Sequence, residues 1–366
     1  MNDLGFEKPE RETRVVVAMS GGVDSSVTAA LLKERGYDVV GATLLLRDFG
    51  MSDESAPSCR TGQEIEDARR VSTAIGIEHH VVDLKTVFRD TIMEDFAASY
   101  VAGETPVPCV ACNRTIKFGH LWDFARGLGA DALVTGHYVR WRRGADGPEL
   151  HRGADGTRDQ SYFLFAVTRE QLEYLRFPLG DMDKTETRAH ARRLGLDIAE
   201  KPDSQDICFV RGGSYAGVVE ALRPGAFAPG EIVDGDGNVL GSHDGVIKFT
   251  VGQRRGLGVA AAEPLYVVRL EPETRRVVVG PRAELMKGGL RIRDFNWLGD
   301  GSAPEGGIRV RVKLRSAMAP VAATVFPEGD GGRVVLDDPV AGVAPGQACV
   351  MYDGDRLMGG GWITRE

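Results

Sequence analysis

A short glycine- and serine-rich segment near the N-terminus, residues 20–26 (SGGVDSS), constrains the fold more than any other feature of this chain. It follows residues 14–19 (RVVVAM), a continuous apolar run typical of a buried parallel strand. It precedes a predicted helix that ends at Gly36. Ligands of open α/β sheets bind at the carboxyl ends of the strands, beside helix N-termini. The order of strand, loop and helix therefore predicts an α/β domain with an anion-binding loop.

The residue types in this loop suit a phosphate chain. Gly21 and Gly22 let the backbone approach closely, the helix N-terminus offers unpaired N–H groups, and Asp24 can face a Mg²⁺ ion. The segment lacks the lysine of a Walker A motif and the spacing of G-x-G-x-x-G. A tight turn with a Ser or Asp helix cap is the structural alternative, but the full segment in this setting favours phosphate binding.

The sequence pattern of the 366-residue chain changes near residue 211. Before that point, predicted strands alternate with predicted helices; after it, glycine and proline rise and short β-rich runs dominate. The strands are expected at residues 38–46, 79–84 and 132–135, and the helices at 63–75, 86–100 and 117–128. The pattern predicts a doubly wound, Rossmann-like parallel sheet in residues 1–211, followed by two small β-rich domains, 212–287 and 288–366, the last a β-barrel.

The amino-acid composition and the distribution of charge exclude some classes of protein. No apolar run approaches the roughly 20 residues that span a bilayer, so no membrane association is expected. The five cysteines are too scattered for a disulfide scaffold, which favours the reducing cytoplasm. The net charge of −8 argues against a nucleic-acid partner, yet residues 246–316 hold 14 basic and seven acidic residues. That stretch is either a focused polyanion site or a solvated surface.

Several segments carry a resemblance to known enzymes. SGGVDS resembles the PP-loop of the ATP pyrophosphatase superfamily, whose members cleave ATP between its α- and β-phosphates and adenylate a substrate oxygen. Further segments, in the same order along nearly the whole chain, resemble the tRNA-specific 2-thiouridylases. They are residues 105–118 (TPVPCVACNRTIKF), 135–138 (TGHY), 159–163 (DQSYF), 201–209 (KPDSQDICF) and 250–254 (TVGQR).

The resemblance implies a reaction and its partners. The chain would thiolate C2 of the wobble uridine in the tRNAs for Lys, Glu and Gln. ATP, with Mg²⁺, would adenylate O2, a cysteine persulfide would supply the sulfur, and AMP and pyrophosphate would be released. The expected partners are tRNA and a sulfur-delivering protein, either a cysteine desulfurase or a sulfur relay protein.

The resemblance also implies site residues. Cys112 would be the nucleophile and Cys208 the persulfide carrier, with Asp24 also catalytic, and sulfur transfer would leave a Cys112–Cys208 disulfide. The implied nucleotide-binding positions are Ala18, Met19, Ser20, Gly21, Gly22, Val23, Asp24, Ser25, Leu44 and Gly136. The implied tRNA-binding residues are Arg158, Asp159 and Gln160, and the basic stretch adds Arg254 and Arg315. Plain structural roles are the alternatives: core for Leu44, a polar turn for residues 158–160, and structural thiols, as expected for Cys59 and Cys349.

Cys109 departs from the commoner family pattern, in which Asp occupies this position. With Cys112 it forms a single CxxC, which is too little for a four-ligand zinc site. We expect a silent replacement first and an auxiliary thiol second. An iron–sulfur cluster held by Cys109, Cys112 and Cys208 is possible but not favoured.

Two other functions fit less well. An amidotransferase-type synthetase of the same superfamily needs a glutaminase domain, which the sequence does not indicate. A non-catalytic RNA-binding module would not need an intact PP-loop.

Overall fold

The computed structural model describes residues 1–47, 60–203, 207–210 and 214–365, which leaves Cys59 outside the described residues. The chain divides into two compact units, each formed from several segments. The first unit comprises Met1–Asp90, Cys109–Gln205 and Asp355–Leu357. The second comprises Thr91–Pro108, Asp206–Gly354 and Met358–Glu366.

The first unit is built on a parallel sheet. Its strands are β1 (Arg14–Ala18), β2 (Asp38–Leu45), β3 (Glu78–Asp83), β4 (Ala132–Val134), β5 (Val139–Gly144), β6 (Gly147–Arg152) and β7 (Leu175–Arg176). Five of them pair in the order β3-β2-β1-β4-β7, all parallel, while β5 and β6 form an antiparallel hairpin. Central β1 has Val15, Val16 and Val17 fully buried, as a continuous apolar run requires.

Some of the α-helices pack on this sheet, and others belong to the second unit. They are α1 (Val23–Glu34), α2 (Arg60–Ile75), α3 (Lys85–Phe88), α4 (Glu94–Val101), α5 (Pro108–Ala111), α6 (Leu121–Gly127), α7 (Arg169–Tyr174), α8 (Lys184–Arg193) and α9 (Tyr215–Leu222). Helix α1 packs Val27 and Leu31 against Val15 and Val17 of β1. It ends where expected, because Gly36 adopts the left-handed conformation, φ 91°. None of the described helices is long and apolar enough to cross a membrane.

The predicted helix at residues 117–128 starts much earlier than the periodicity indicated. Pro108 opens α5, since proline is well tolerated at a first helical position. The chain then continues through a π-helical segment, Cys112–His120, into α6. A second π-helical segment, Arg89–Met93, interrupts the helix predicted at residues 86–100. Wider π-helical turns disturb the 3.6-residue pattern, which is why these boundaries were missed.

The second unit contains two β-sheets. A four-stranded sheet, ordered β10-β11-β8-β9, is formed by β8 (Gly230–Val233), β9 (Val239–His243), β10 (Tyr266–Glu271) and β11 (Arg276–Gly280). The other strands are β12 (Met286–Trp297), β13 (Ile308–Lys313), β14 (Val321–Glu328), β15 (Gly331–Ala341), β16 (Ala348–Asp353) and β17 (Arg356–Ile363). They follow the order β12-β15-β14-β13-β16-β17, and a β12–β17 pairing closes them into a barrel.

The predicted fold class is therefore confirmed: a Rossmann-like parallel sheet is followed by β-rich structure that ends in a barrel. The barrel interior holds apolar side chains from alternate strand positions, among them Val310, Val325, Val334 and Met351. The predicted domain boundaries stay predictions. The first, at residues 211–212, lies outside the described residues, and the second, at residues 287–288, lies within β12, which begins at Met286.

Candidate nucleotide-binding site and cysteines

The loop between β1 and α1 has a backbone that only glycine can follow. Gly21 adopts φ 69°, and a Cβ there would lie 2.2 Å from the carbonyl oxygen of Glu64. Gly22 is the N-cap of α1 and provides no capping side chain. The donors in the first turn of α1 therefore lack the side-chain cap that a Ser or Asp would supply, as an anion-binding helix end requires.

Ser25 holds the loop closed. Its Oγ accepts a hydrogen bond from the Ser20 backbone N–H at 3.1 Å and donates to the Gly22 carbonyl at 3.3 Å. The Ser25 side chain is consequently buried, whereas Ser20 is exposed. Ser20 is thus the better placed of the two hydroxyls to meet a ligand.

Gly136 packs against the first turn of α1. It follows β4, and a Cβ there would lie 2.8 Å from the Asp24 carbonyl carbon and 2.9 Å from the Ser25 nitrogen. Only glycine lets the end of β4 approach the first turn of α1 so closely. The position implied for nucleotide binding therefore lies against the loop.

The carboxylate of Asp24 is held by two side chains that the sequence analysis assigned no role. Lys184 Nζ lies 2.7 Å from Asp24 Oδ1 and 2.9 Å from Oδ2, and Tyr138 donates its hydroxyl to Oδ1 at 2.8 Å. Lys184 is the first residue of α8, where Asp183 and Glu186 form a capping box. That box is readable in the sequence as D-K-T-E, so the helix start could have been found, although its proximity to Asp24 could not.

A second carboxylate, Asp203, shares the same lysine. Lys184 Nζ lies 2.7 Å from Asp203 Oδ1, and Arg158 and Arg188 reach the same carboxylate at 2.8 and 3.4 Å. Burial alone would raise the pKa of Asp203, but the hydrogen bond and charge of Lys184, with the two arginines, lower it below its ordinary value. Three cationic side chains thus surround two carboxylates beside the loop. The resulting local net positive charge favours the binding of a polyanion.

Lys201 fixes the loop backbone from another side. Its ammonium group donates to the Gly21 carbonyl at 2.8 Å and to Asp67 Oδ2 at 2.6 Å. Burial raises the pKa of Asp67, but its hydrogen bonds from Lys201 and Gln63 bring it below the ordinary value. The loop conformation is thus set by an ion pair as well as by glycines.

The other implied nucleotide positions lie at the carboxyl ends of β1 and β2. Ala18 ends β1, and Met19 follows it and is almost fully buried. Leu44 is half-buried near the end of β2. Both strand ends lie where ligands of such sheets bind, so the geometry is compatible with an adenine contact at Leu44.

His137 lies in an apolar setting beside Gly136. Its Nδ1 is 2.7 Å from Thr135 Oγ1, and its ring contacts Phe118 and Phe177. Burial lowers the pKa of His137 well below its ordinary value, so the imidazole is neutral at physiological pH. A neutral imidazole with these contacts fits a role in positioning the neighbouring Gly136 better than a role as a base.

The three residues implied in tRNA binding near residue 159 are engaged within the first unit. Arg158 pairs with Asp203, and Asp159, only 1% exposed, accepts hydrogen bonds from Arg152 and from backbone N–H groups. Gln160 Oε1 accepts from the Tyr138 N–H at 2.9 Å. A tRNA contact by these side chains stays a prediction, and for Asp159 it would require rearrangement.

Cys112 and Cys208 occupy different settings. Cys112, in the first unit, is half-buried and is the first residue of the π-helical segment Cys112–His120. π-Helical turns are rare in proteins, and those that occur often lie at functional sites. Cys208, in the second unit, is exposed, while its neighbour Phe209 is buried against Phe96 with ring centroids 5.0 Å apart. In the described part of the chain the cysteines are thiols, so the disulfide stays a prediction.

The thiols of Cys109 and Cys349 both have raised pKa values. Although Cys109 keeps exposed surface, desolvation by surrounding atoms raises the pKa of its thiol, an effect that the charge of Lys117 partly offsets. Burial in the barrel raises the pKa of Cys349 to about 12, which fits the expected structural role. Neither thiol is favoured as a thiolate at neutral pH.

Many cations of the basic stretch at residues 246–316 are paired with acids. Ion pairs form for Lys248, Arg269, Arg276, Arg291, Arg293 and Arg309. Arg254 and Arg315 are exposed and form no ion pair with any described residue. The Arg315 guanidinium lies 3.4 Å from the Cβ position of Gly342, and Gly342 is next to Gly252, so the two arginines lie on neighbouring loops of the second unit.

Three family models match successive parts of the chain. They are a tRNA methyl transferase HUP domain at residues 13–212, a tRNA methyl transferase PRC-barrel domain at 222–281 and an aminomethyltransferase beta-barrel domain at 287–363. The order agrees with a parallel-sheet unit followed by two β-rich regions.

Curated relatives match over nearly their full length. The tRNA-specific 2-thiouridylase MnmA of Rhodospirillum centenum is 60% identical, over 100% of this chain and 95% of that protein. The protein of the same name from Parvibaculum lavamentivorans is 58% identical, over 100% and 94%. Among solved structures, a 4-thiouridine synthetase–RNA complex with bound ATP covers 57% of this chain and 49% of its own, at 19% identity and a TM-score of 0.37. That likeness is too low to indicate a shared function.

Proposed function

The chain belongs to the family of tRNA-specific 2-thiouridylases and is a tRNA-uridine 2-sulfurtransferase, and on that premise we propose that it adenylates O2 of a wobble uridine before replacing that oxygen with sulfur. The tRNAs for Lys, Glu and Gln are the proposed substrates. The observation that carries the proposal is the loop at Gly21 and Gly22, which presents the first turn of α1 beside a cluster of cations.

ATP suits this loop in charge. Gly21 and Gly136 allow close backbone packing that a Cβ would prevent, which sets the position of the first turn of α1, and Lys184, Arg158 and Arg188 supply positive charge. Asp24 is the carboxylate that would hold Mg²⁺ with the phosphates. Adenylation turns O2 into a leaving group, which departs with AMP when sulfur attacks C2.

The sulfur step uses two thiols. The terminal sulfur of a persulfide on Cys208 attacks C2, the C2–O2 bond breaks, and AMP departs with the oxygen. The thiolate of Cys112 then attacks the Cys208 sulfur, which breaks the S–S bond and leaves sulfur on C2. The resulting Cys112–Cys208 disulfide needs two electrons from an external reductant, and a sulfur-delivering protein reloads Cys208. This dependence on reduced thiols supports the cytoplasm as the compartment.

The test is to identify the products formed from ATP and unmodified tRNA. Pyrophosphate and AMP are expected, and Asp24→Ala should abolish both because it removes the carboxylate that faces the phosphates. Asp181→Ala is the matched control, since Asp181 also pairs with a cation, Arg142, but is 62% exposed. Release of ADP and phosphate by the unmodified protein would contradict the proposal.

A further inference from the structure

A buried threonine connects the two strands whose carboxyl ends form the candidate nucleotide site. The Thr43 hydroxyl of β2 donates to the Met19 carbonyl, just after β1, at 2.8 Å, and Thr43 is only 4% exposed. The Met19 N–H is bound by the same strand, since it donates to the Ala42 carbonyl at 2.8 Å. Both backbone polar groups of Met19 are therefore bonded to β2, which fixes the chain where it enters the phosphate loop at Ser20.

His79 of β3 binds the same hydroxyl. Its Nε2 lies 2.8 Å from Thr43 Oγ1. A hydroxyl has one proton and a carbonyl can only accept, so Thr43 gives its proton to Met19 and His79 Nε2 is the donor to Thr43. Burial lowers the pKa of His79, and the charges of Arg69 and His80 lower it further, so the ring is neutral at pH 7 with its proton on Nε2. We call this hydrogen-bonded series from His79 through Thr43 to the Met19 carbonyl the threonine relay.

The register of the sheet explains how the histidine reaches the threonine. His79 lies opposite Gly41 in the pairing of β2 with β3, and Gly41 and Thr43 lie on the same face of β2 because they are two residues apart. A Cβ at Gly41 would lie 2.7 Å from Met19 Sδ and 3.1 Å from His79 Cδ2. The space left by this glycine is therefore occupied by the Met19 side chain and the His79 ring.

Thr43 lies between the two parts of the site that a nucleotide must reach together. Its backbone continues directly to Leu44, the implied adenine contact. Its hydroxyl binds Met19, which continues directly to Ser20, the exposed hydroxyl of the phosphate loop. A ligand with both adenine and phosphates needs a fixed separation between these positions, because the two contacts form together only if the geometry permits both. A ligand with phosphates alone does not need it.

We propose that Thr43, oriented by His79, is a positioning residue that sets the separation between the adenine and phosphate parts of the ATP site. The nucleotide then meets both parts without rearranging the strand ends, so no binding energy is lost to ordering them. This inference rests on the proposed binding of ATP at the loop.

The experiment compares two ligands by calorimetric titration with Mg²⁺ present. α,β-Methylene ATP carries adenine and phosphates, whereas tripolyphosphate carries phosphates alone. Thr43→Val keeps a branched side chain but removes the hydroxyl, so the Met19 carbonyl loses its buried donor. We expect the affinity for the analogue to fall about tenfold, the scale of losing one buried hydrogen bond, and the affinity for tripolyphosphate to change by less than about twofold.

Conservative variants distinguish positioning from packing. Thr43→Ser keeps the hydroxyl and removes the methyl group, so it should recover most of the affinity for the analogue, whereas a packing role of the threonine would make this variant weaker than Thr43→Val. His79→Leu should also weaken binding of the analogue and spare tripolyphosphate, and it repeats the comparison with Thr43 intact if Thr43→Val is unfolded. His79→Gln keeps an N–H donor and should restore binding.

A control and a spectroscopic measurement complete the test. Thr73→Val changes an exposed threonine of α2 and should bind both ligands as the unmodified protein does. Circular dichroism melting shows whether each variant is folded under the assay conditions. Nitrogen NMR of the histidine rings reports the tautomer, and the signal absent from His79→Gln identifies His79. We expect the neutral Nε2–H form at pH 7; an Nδ1–H form would make Nε2 an acceptor and would overturn the relay.

The outcomes separate this inference from the proposed function. If the unmodified protein binds the analogue and forms AMP and pyrophosphate, but folded Thr43→Val binds the analogue equally well, the inference is wrong and the function stands. An equal loss of affinity for both ligands, or a loss that Thr43→Ser does not reverse, also overturns the inference. Failure of the unmodified protein to bind either ligand contradicts the proposed ATP site instead.

Discussion

Replacing Gly136 with alanine should damage the nucleotide loop without touching a polar side chain. The added Cβ would lie 2.8 Å from the Asp24 carbonyl carbon, 2.9 Å from the Ser25 nitrogen and 3.0 Å from the Asp24 carbonyl oxygen. All three are backbone atoms, and ordinary contacts begin near 3.4 Å. The first turn of α1 and the end of β4 must therefore separate by about half an ångström, given that cores relax only partly.

The expected cost follows from overpacking. Inserting a carbon into a packed site costs about 1–3 kcal/mol, and the smaller unfolded-state entropy of alanine returns about 0.4–1 kcal/mol. A net loss of about 1–2 kcal/mol corresponds to a melting temperature roughly 2–8 °C lower for a unit of this size. Nucleotide affinity should fall as well, because the displaced atoms carry the first-turn donors.

The assay combines thermal melting with calorimetric titration of α,β-methylene ATP. Gly127→Ala is the matched control, because a Cβ at Gly127 meets nothing within 4 Å and the residue ends α6. It should leave affinity unchanged and stabilise by up to about 1 kcal/mol. Unchanged melting and affinity in Gly136→Ala would refute the close-approach explanation of this glycine.

The other predictions concern the thiols, the basic stretch and acid stability. Cys112→Ser and Cys208→Ser should each abolish 2-thiouridine, measured by nucleoside mass spectrometry, while AMP formation persists; thiolation in either variant would contradict the two-thiol scheme. Arg254→Ala or Arg315→Ala should reduce the log–log salt slope of tRNA binding by about one unit in filter binding, and an unchanged slope in both would move the tRNA site elsewhere. The pKa of Asp67 is lowered in the folded protein, so the stability that its carboxylate contributes is complete above the ordinary carboxyl pKa of 3.8 and is lost as pH falls through the lower folded value. Asp67→Asn should therefore lower the melting temperature at pH 7, and the melting temperature of this variant should decrease less on acidification than that of the unmodified protein.

The sheet was predictable because its signals are local. β1 and β2 are continuous apolar runs, and α1 ends at a glycine that adopts positive φ, so each element is readable within about a dozen residues. The hairpin of β5 and β6 was missed because its strands carry Arg140, Arg142 and Arg143 in place of an apolar run. The adjacent Arg142 and Arg143 limit the alternation of apolar and polar residues in β5 to four positions, the shortest run that indicates a strand.

The site was predictable only in part. The loop and the cysteines have distinctive spacing, but the cations around Asp24 do not. Lys184 lies 160 positions from Asp24 in sequence, and Asp203 meets it only because α8 and the segment after it fold back to the loop. Contacts of this kind depend on tertiary packing, which no local pattern encodes.

The closed barrel at the end of the chain limits how any partner can bind there. An open sheet exposes unpaired N–H and C=O groups along its outer strand, which can accept a strand from another protein or nucleate aggregation. Here β12 pairs with β15 on one side and β17 on the other, and all six strands of the ring lie in the described residues. A partner that engages β12 must therefore use loops and outward side chains, and an engineered addition of a strand along β12 should fail unless the ring is first opened between Ile292 and Ile363. The start of β17 differs, because Arg356 there pairs with His151 of β6 outside the ring.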